Sequence, residues 1–144
     1  MRLVDIVLAA LADYAAVTDH GKLVIAGVFD AIRVPQIPAR HPMMALAMRI
    51  HAEPGEGATH DVTVRLVDPD GAEVLPELKA SVQFKEHGPG EGGDVQIVMH
   101  APGVVFKKLG PHAFDVFIDG SHLTSLSLWV RLTADGPPPG ASPS

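Results

Sequence analysis

The sequence contains no cysteine in its 144 residues. That absence excludes disulfide scaffolds, zinc sites built on thiolates, iron–sulfur clusters and cysteine nucleophiles. A chain without cysteine is compatible with a reducing compartment, and we expect it to be cytoplasmic. No cofactor-binding motif is recognised, so we also expect no cofactor.

Aromatic side chains and positive charge are scarce as well. Aromatic residues make up 5% of the chain and the formal net charge is −6. Both values disfavour base stacking and attraction to a phosphate backbone, so we expect no nucleic-acid partner. The N-terminal apolar run Ile6–Ala12 follows Asp5 and is much shorter than the roughly twenty residues that span a bilayer. We therefore expect neither a cleaved signal peptide nor membrane insertion.

Apolar residues, by contrast, account for 47% of the chain. A single domain of this length can bury roughly 70% of the surface that its unfolded chain exposes. We predict one domain over residues 1–133. Residues 134–144 are rich in Pro, Gly and Ser and have no apolar period, so they are predicted to form a disordered tail.

Short segments with a period of two dominate the rest of the sequence. Residues 60–67 and 125–132 alternate between apolar and polar side chains, which is typical of half-buried strands. Turn signals such as Asp68–Gly71 separate these segments, and no long helical pattern is present. The stretch 11–30 is predicted to be a β-hairpin that turns at residues 19–22. The predicted fold class is all-β: an antiparallel β-sandwich of about eight strands, immunoglobulin-like or jelly-roll-like.

Several short motifs fall in and around this hairpin, at Ala12–Ala15, Gly21–Leu23, Gly27 and Phe29–Asp30. Together they resemble the ADYA…GKL.v.G.fd signature of an uncharacterised bacterial family, a domain of unknown function. The resemblance implies a compact β-sandwich. It implies no activity that can be named, and no catalytic residue is carried over from it.

Histidine and aspartate give two hypotheses for a cation site. His51 and His60 lie at the ends of two predicted strands, where a hairpin would bring them together with Asp61 or Glu53 as a third ligand of a metal. Asp68 and Asp70 could supply oxygens to calcium at one end of the sandwich. The alternative for both groups is that they are ordinary polar residues of strand ends and turns.

The last predicted strand indicates an interaction surface. Trp129 and Arg131 lie on its polar face, and both residue types are enriched at binding hot spots. Met44 and Met48 could add an adaptable apolar surface. The alternative is that Trp129 packs beneath a loop or in the core.

These observations favour a non-enzymatic module that binds another protein or assembles with itself, with an open strand edge as one route to the partner. A small-ligand or divalent-cation-binding sandwich is the second hypothesis. A hydrolase is the third, since Ser121, His122 and Ser125 are available. No nucleophile-elbow pattern frames these serines, so we expect no enzyme.

Overall fold

The computed structural model describes residues 4–55, 59–86, 88 and 90–133. The predicted disordered tail, residues 134–144, lies outside the described part. Within that part the chain forms ten strands and no helix, so none of it is a helix long or apolar enough to cross a membrane. The strands are β1 (Val4–Val17), β2 (Leu23–Val28), β3 (Ala31–Val34), β4 (Ala39–Ala52), β5 (Thr59–Val67), β6 (Leu78–Gln83), β7 (Lys85–Glu86), β8 (Gly93–Phe106), β9 (Gly110–Ile118) and β10 (Ser121–Leu132).

The strands form two five-stranded sheets. The first sheet has the order β2-β1-β4-β8-β7, and the second has the order β3-β10-β9-β5-β6. Neighbouring strands are antiparallel throughout except for β3 and β10, which run parallel. The predicted all-β sandwich is confirmed, with this one parallel pair as an addition that the sequence did not indicate.

The core lies between the sheets and follows the period of two. Strand β4 contributes Met44, Leu46, Met48 and Ile50 from the first sheet, each at most 2% exposed. Alternate residues of β5, β9 and β10 face them from the second sheet. The prediction that Met44 and Met48 form an interaction surface is therefore wrong. Both side chains fill the core because they lie on the same face of β4 as Leu46.

Strands β1 and β2 form the predicted hairpin, and its turn has a simple chemical cause. The Thr18 N–H donates to the Lys22 carbonyl and the Gly21 N–H donates to the Thr18 carbonyl, at 2.8 and 2.9 Å. Gly21 has a φ of 74°, which glycine adopts without the steric cost that a Cβ would add. The Thr18 hydroxyl accepts from the Lys22 N–H at 3.0 Å and completes the turn. The prediction of a hairpin at residues 11–30 is thus confirmed.

The far half of this hairpin folds across the outer face of the first sheet. Leu23 and Ile25 of β2 pack there with Ala15 of β1 against two alanines of β4, Ala45 and Ala47. These alanines are fully buried although they point away from the core, because the hairpin covers them. Small side chains allow this close approach of one layer to another.

One polar contact marks how far the hairpin reaches. The Gln96 side-chain amide on β8 donates to the carbonyl of Gly21, in the hairpin turn, at 2.6 Å. In the plane of the sheet, β4 and β1 separate β8 from β2. A flat sheet would keep the turn away from Gln96, so the contact requires the hairpin to lie over the sheet.

Candidate functional site

The two histidines of the proposed metal site belong to different sheets. His51 is on β4 and pairs with Asp94 of β8, while His60 is on β5 and pairs with Val82 of β6. The predicted hairpin between β4 and β5 is therefore wrong. The reason is that the intervening chain crosses from one sheet of the sandwich to the other, which a period of two cannot distinguish from a local turn.

Each of these histidines instead contacts an aspartate. His51 Nδ1 lies 2.8 Å from Asp94 Oδ1, and Arg49 donates to the other oxygen of the same carboxylate at 2.8 Å. His60 Nδ1 lies 2.5 Å from Asp119 Oδ2. Across the described residues, no three or more His, Asp or Glu side chains are grouped so that they could hold a metal ion. Asp61, the proposed third ligand, offers its backbone N–H to Asp119 at 2.9 Å.

The proposed calcium ligands Asp68 and Asp70 already have a cation between them. The Lys108 ammonium forms an ion pair with Asp70 and lies 3.5 Å from Asp68. The Asp68 carboxylate also accepts from the Asp70 and Ala72 N–H groups at 2.8 and 3.0 Å. Burial opposes the charged form, but the hydrogen bonds from Ala72 and Asp70 and the nearby ammonium lower the pKa of Asp68. The two carboxylates therefore shape a turn and hold a lysine, and the converging oxygens that calcium needs do not gather here.

A serine, a histidine and an aspartate do come together on the outer face of the second sheet. Ser125 Oγ donates to Asp115 Oδ1 at 2.6 Å and lies 2.9 Å from His122 Nε2. The serine proton is directed at the aspartate, so the histidine must donate to the serine oxygen. In a hydrolytic triad the histidine lies between the other two and accepts the serine proton. The order found here is a structural hydrogen-bond chain without an activated nucleophile.

Trp129 and Arg131 lie on the same outer face, near the β3 edge. The Trp129 side chain is 40% exposed, and the Arg131 guanidinium carbon lies 5.2 Å from the centre of its ring. Such a cation–π contact holds the tryptophan ring against the sheet surface. The alternative of a tryptophan buried in the core does not hold. The role of these two residues in an interface stays a prediction.

The feature that sequence reasoning did not single out is the free edge of β2, residues Leu23–Val28, here called the β2 edge. Its six residues carry no charge and include no proline. Strand β2 ends the first sheet, and within the described residues it pairs only with β1. The backbone groups on its other side are therefore available to a further strand. The uncharged run is visible in the sequence, but its place at the end of a sheet follows only from the strand order.

The three other strands that end the sheets, β3, β6 and β7, have features that discourage pairing with another chain. Strand β3 is four residues long, contains Arg33 and is followed by Pro35, and β7 is two residues long. Strand β6 carries Lys79 within its six residues. Short length, charge and proline each discourage pairing with another chain. Of the four strands that end the two sheets in the described part of the molecule, only β2 has none of these within its own residues.

Exposed apolar side chains surround the same edge. Val28 is 66% exposed, Tyr14 58% and Val24 43%, whereas the outer face of the second sheet is mainly polar. Large apolar groups in contact with water near an open strand are typical of an interaction site. The β2 edge and these three side chains form the candidate protein-binding surface.

No curated protein matches the chain. The solved structures similar to it include the alkylpurine DNA glycosylase AlkC of Pseudomonas fluorescens, bound to DNA that contains an abasic site analogue. That similarity has 14% sequence identity and a TM-score of 0.48, and covers 90% of this chain but only 30% of that one. The model of the family of unknown function DUF6941 matches residues 7–131, and the chain therefore belongs to that family.

Proposed function

We propose that the chain is a non-enzymatic protein-binding module that adds a strand of its partner to the β2 edge. The observation that carries this proposal is the contrast between edges: β2 is uncharged and open, and β3, β6 and β7 are short or charged. In strand addition, main-chain hydrogen bonds supply affinity and the flanking side chains supply specificity. Here the flanking side chains are the exposed Tyr14, Val24 and Val28.

The absence of a catalytic role is part of the proposal and rests on the polar clusters described above. The histidines His51, His60 and His122 each have a carboxylate or hydroxyl partner. In each cluster these contacts order a strand end or a turn, and none directs a base at a nucleophile. Trp129 and Arg131 offer a second surface, which lies on a mostly polar face.

Affinity capture with matched charge variants tests the proposal. Val28→Lys places a charge on the candidate surface, and Ser81→Lys places the same charge on the exposed face of the β6 edge as the control. Tagged forms of the natural chain and of both variants are incubated with a lysate that also contains the untagged chain. We expect a stoichiometric bound protein, either a different protein or the untagged copy, which Val28→Lys loses and Ser81→Lys keeps. Equal capture by both variants, or no capture by the natural chain, would contradict strand addition at β2.

A further inference from the structure

We infer that the strand added to the β2 edge is the β2 edge of a second copy of this chain, in antiparallel orientation about a two-fold axis between Ala26 and Gly27. This inference rests on the proposed function and names its partner. It follows from the direction of the free backbone groups along β2.

At the turn end of β2, the free groups belong to Leu23 and Ile25. The Lys22 carbonyl accepts from Thr18 and so points towards β1. In a planar trans peptide the next N–H points the opposite way, and the Leu23 N–H therefore faces outward. The pairing with β1 runs without a shift to Ala26, so the backbone groups of Ile25 face outward as well.

At the other end of β2, the pattern is reversed. The Phe29 N–H donates to the Leu11 carbonyl of β1 at 3.0 Å. By the same geometry, the carbonyl of Val28 points away from β1. The outward residues are thus odd-numbered before Gly27 and even-numbered after it.

Gly27 is where the backbone changes direction. Its φ is +75°, and a Cβ at this position would lie 2.6 Å from the Asp13 carboxylate. This single left-handed residue changes the side to which the following backbone groups point without adding a residue, because Tyr14 still pairs with Ala26 and Ala12 with Val28. Only glycine combines that φ with the close approach of Asp13.

Because of the change at Gly27, the outward backbone groups of one β2 edge match those of a second β2 edge on both sides of that residue. When two β2 edges run antiparallel about an axis between Ala26 and Gly27, Ile25 of each copy lies opposite Val28 of the other. Both residues direct backbone groups outward, so hydrogen bonds form on both sides of the axis. A partner strand whose backbone groups alternate without such a change would match the outward groups on only one side of Gly27.

The neighbouring residues agree with a second copy as the occupant. Every residue from Leu23 to Val28 is uncharged, so each copy presents apolar or glycine positions to the other. The pairing ends where the chain leaves the sheet, because the Asp30 carbonyl accepts from Trp129 of β10 at 2.8 Å. The contact is isologous, as in most homodimers.

Charge variants at Ala26 test the two-fold axis. Ala26 is exposed and lies beside the axis, so Ala26→Lys or Ala26→Glu brings two like charges together in a dimer. By sedimentation velocity we expect a dimer for the purified natural chain, at least tenfold weaker dimerisation for each variant alone, and a restored dimer when the two variants are mixed. Ser81→Lys and Ser81→Glu, alone or mixed, should behave as the natural chain does. A monomeric natural chain, or a mixture that stays monomeric, would overturn the inference.

Disulfide cross-linking of a cysteine variant is a second test of the axis, and it introduces no charge. The natural chain has no cysteine, so Ala26→Cys introduces a single thiol beside the axis. We expect mild oxidation to convert it to a covalent dimer much faster than Ser81→Cys. Equal rates would overturn the inference. A monomeric natural chain combined with capture that depends on Val28 would contradict the second copy but leave strand addition standing, whereas capture independent of Val28 would remove both.

Discussion

Several charged side chains in this protein have hydrogen-bond or ion-pair partners that are distant in sequence. Lys108, in the connection between β8 and β9, forms an ion pair with Asp70 and lies close to Asp68, and Asp119 contacts His60 of β5. Sequence patterns identify these groups as polar residues of turns. Their partners depend on strand order, which no local pattern contains. The calcium hypothesis therefore fell on two aspartates that hold a lysine, and the metal hypothesis joined two histidines of different sheets.

Asp119 provides the prediction at this scale. The hydrogen bond from the Asp61 N–H and the contact with His60 lower the pKa of Asp119 below 3.8. A carboxylate with a lowered pKa stabilises the fold above its unfolded value, and this contribution is lost as the pH falls through the folded value. We therefore expect Asp119→Asn to be less stable than the natural chain at neutral pH, with the difference shrinking below pH 3.8. Urea unfolding across this pH range measures it.

Asparagine is the appropriate substitution because the turn needs the same backbone. Asp119 has a φ of 47° and Gly120 has a φ of 84°, the pattern of a two-residue hairpin turn that favours Asn-Gly as well as Asp-Gly. The variant therefore removes the charge and keeps the turn. Asp61→Asn, which changes the neighbouring exposed carboxylate, is the control. A stability difference that stays constant with pH would show that the charge of Asp119 is not responsible.

At the scale of elements, the hairpin of β1 and β2 was predictable and its position was not. The alternating apolar residues and the Gly-Lys turn indicate two paired strands wherever they lie. Ala15, Ala45 and Ala47 have short side chains, which occur on exposed and on buried faces of strands alike. Nothing in the local sequence shows that another layer covers them. The fold-over of the hairpin depends on long-range packing with Val98 and Gln96 of β8.

Overpacking beneath the hairpin tests that arrangement. Ala47 is fully buried under Leu23 and Ile25, so Ala47→Leu must displace the hairpin or strain the sheet. We expect the free energy of unfolding to fall by about 1–3 kcal/mol, as for other enlarged side chains in packed sites. Ala113→Leu makes the same change on the outer face of β9, which is half-open, and should cost less than about 1 kcal/mol. Equal losses in urea unfolding would mean that the hairpin does not press on Ala47.

At the scale of the whole molecule, the composition and periodicity of the sequence were sufficient to predict the all-β sandwich. Alternating segments predict which residues face inward. Strand β9 follows that pattern from His112 to Ile118, and β10 follows it from Ser125 to Arg131. The interaction surface was harder to predict, because an edge is a property of strand order. Leu23–Val28 reads as an ordinary strand until the sheet shows that nothing in the described chain lies on its far side.

Dimerisation through β2 predicts a melting temperature that depends on protein concentration. Unfolding then includes dissociation, so each tenfold rise in concentration stabilises the folded dimer by about 1.4 kcal/mol. For a chain of this size the expected shift is roughly 2–4 °C per tenfold change. Ala26→Lys should melt at one temperature at all concentrations, and calorimetry of both proteins over a hundredfold range makes the comparison. A concentration-independent melting temperature for the natural chain would argue against the dimer.

The short and charged edges β3, β6 and β7 also limit how far such an assembly can grow. Pairing at β2 occupies the same strand in both copies, so this strand is no longer open once the pair has formed. Polymerisation requires a second, different interface on each copy, and these three strands do not supply one. An open strand that would otherwise seed fibres is thereby confined to a closed pair.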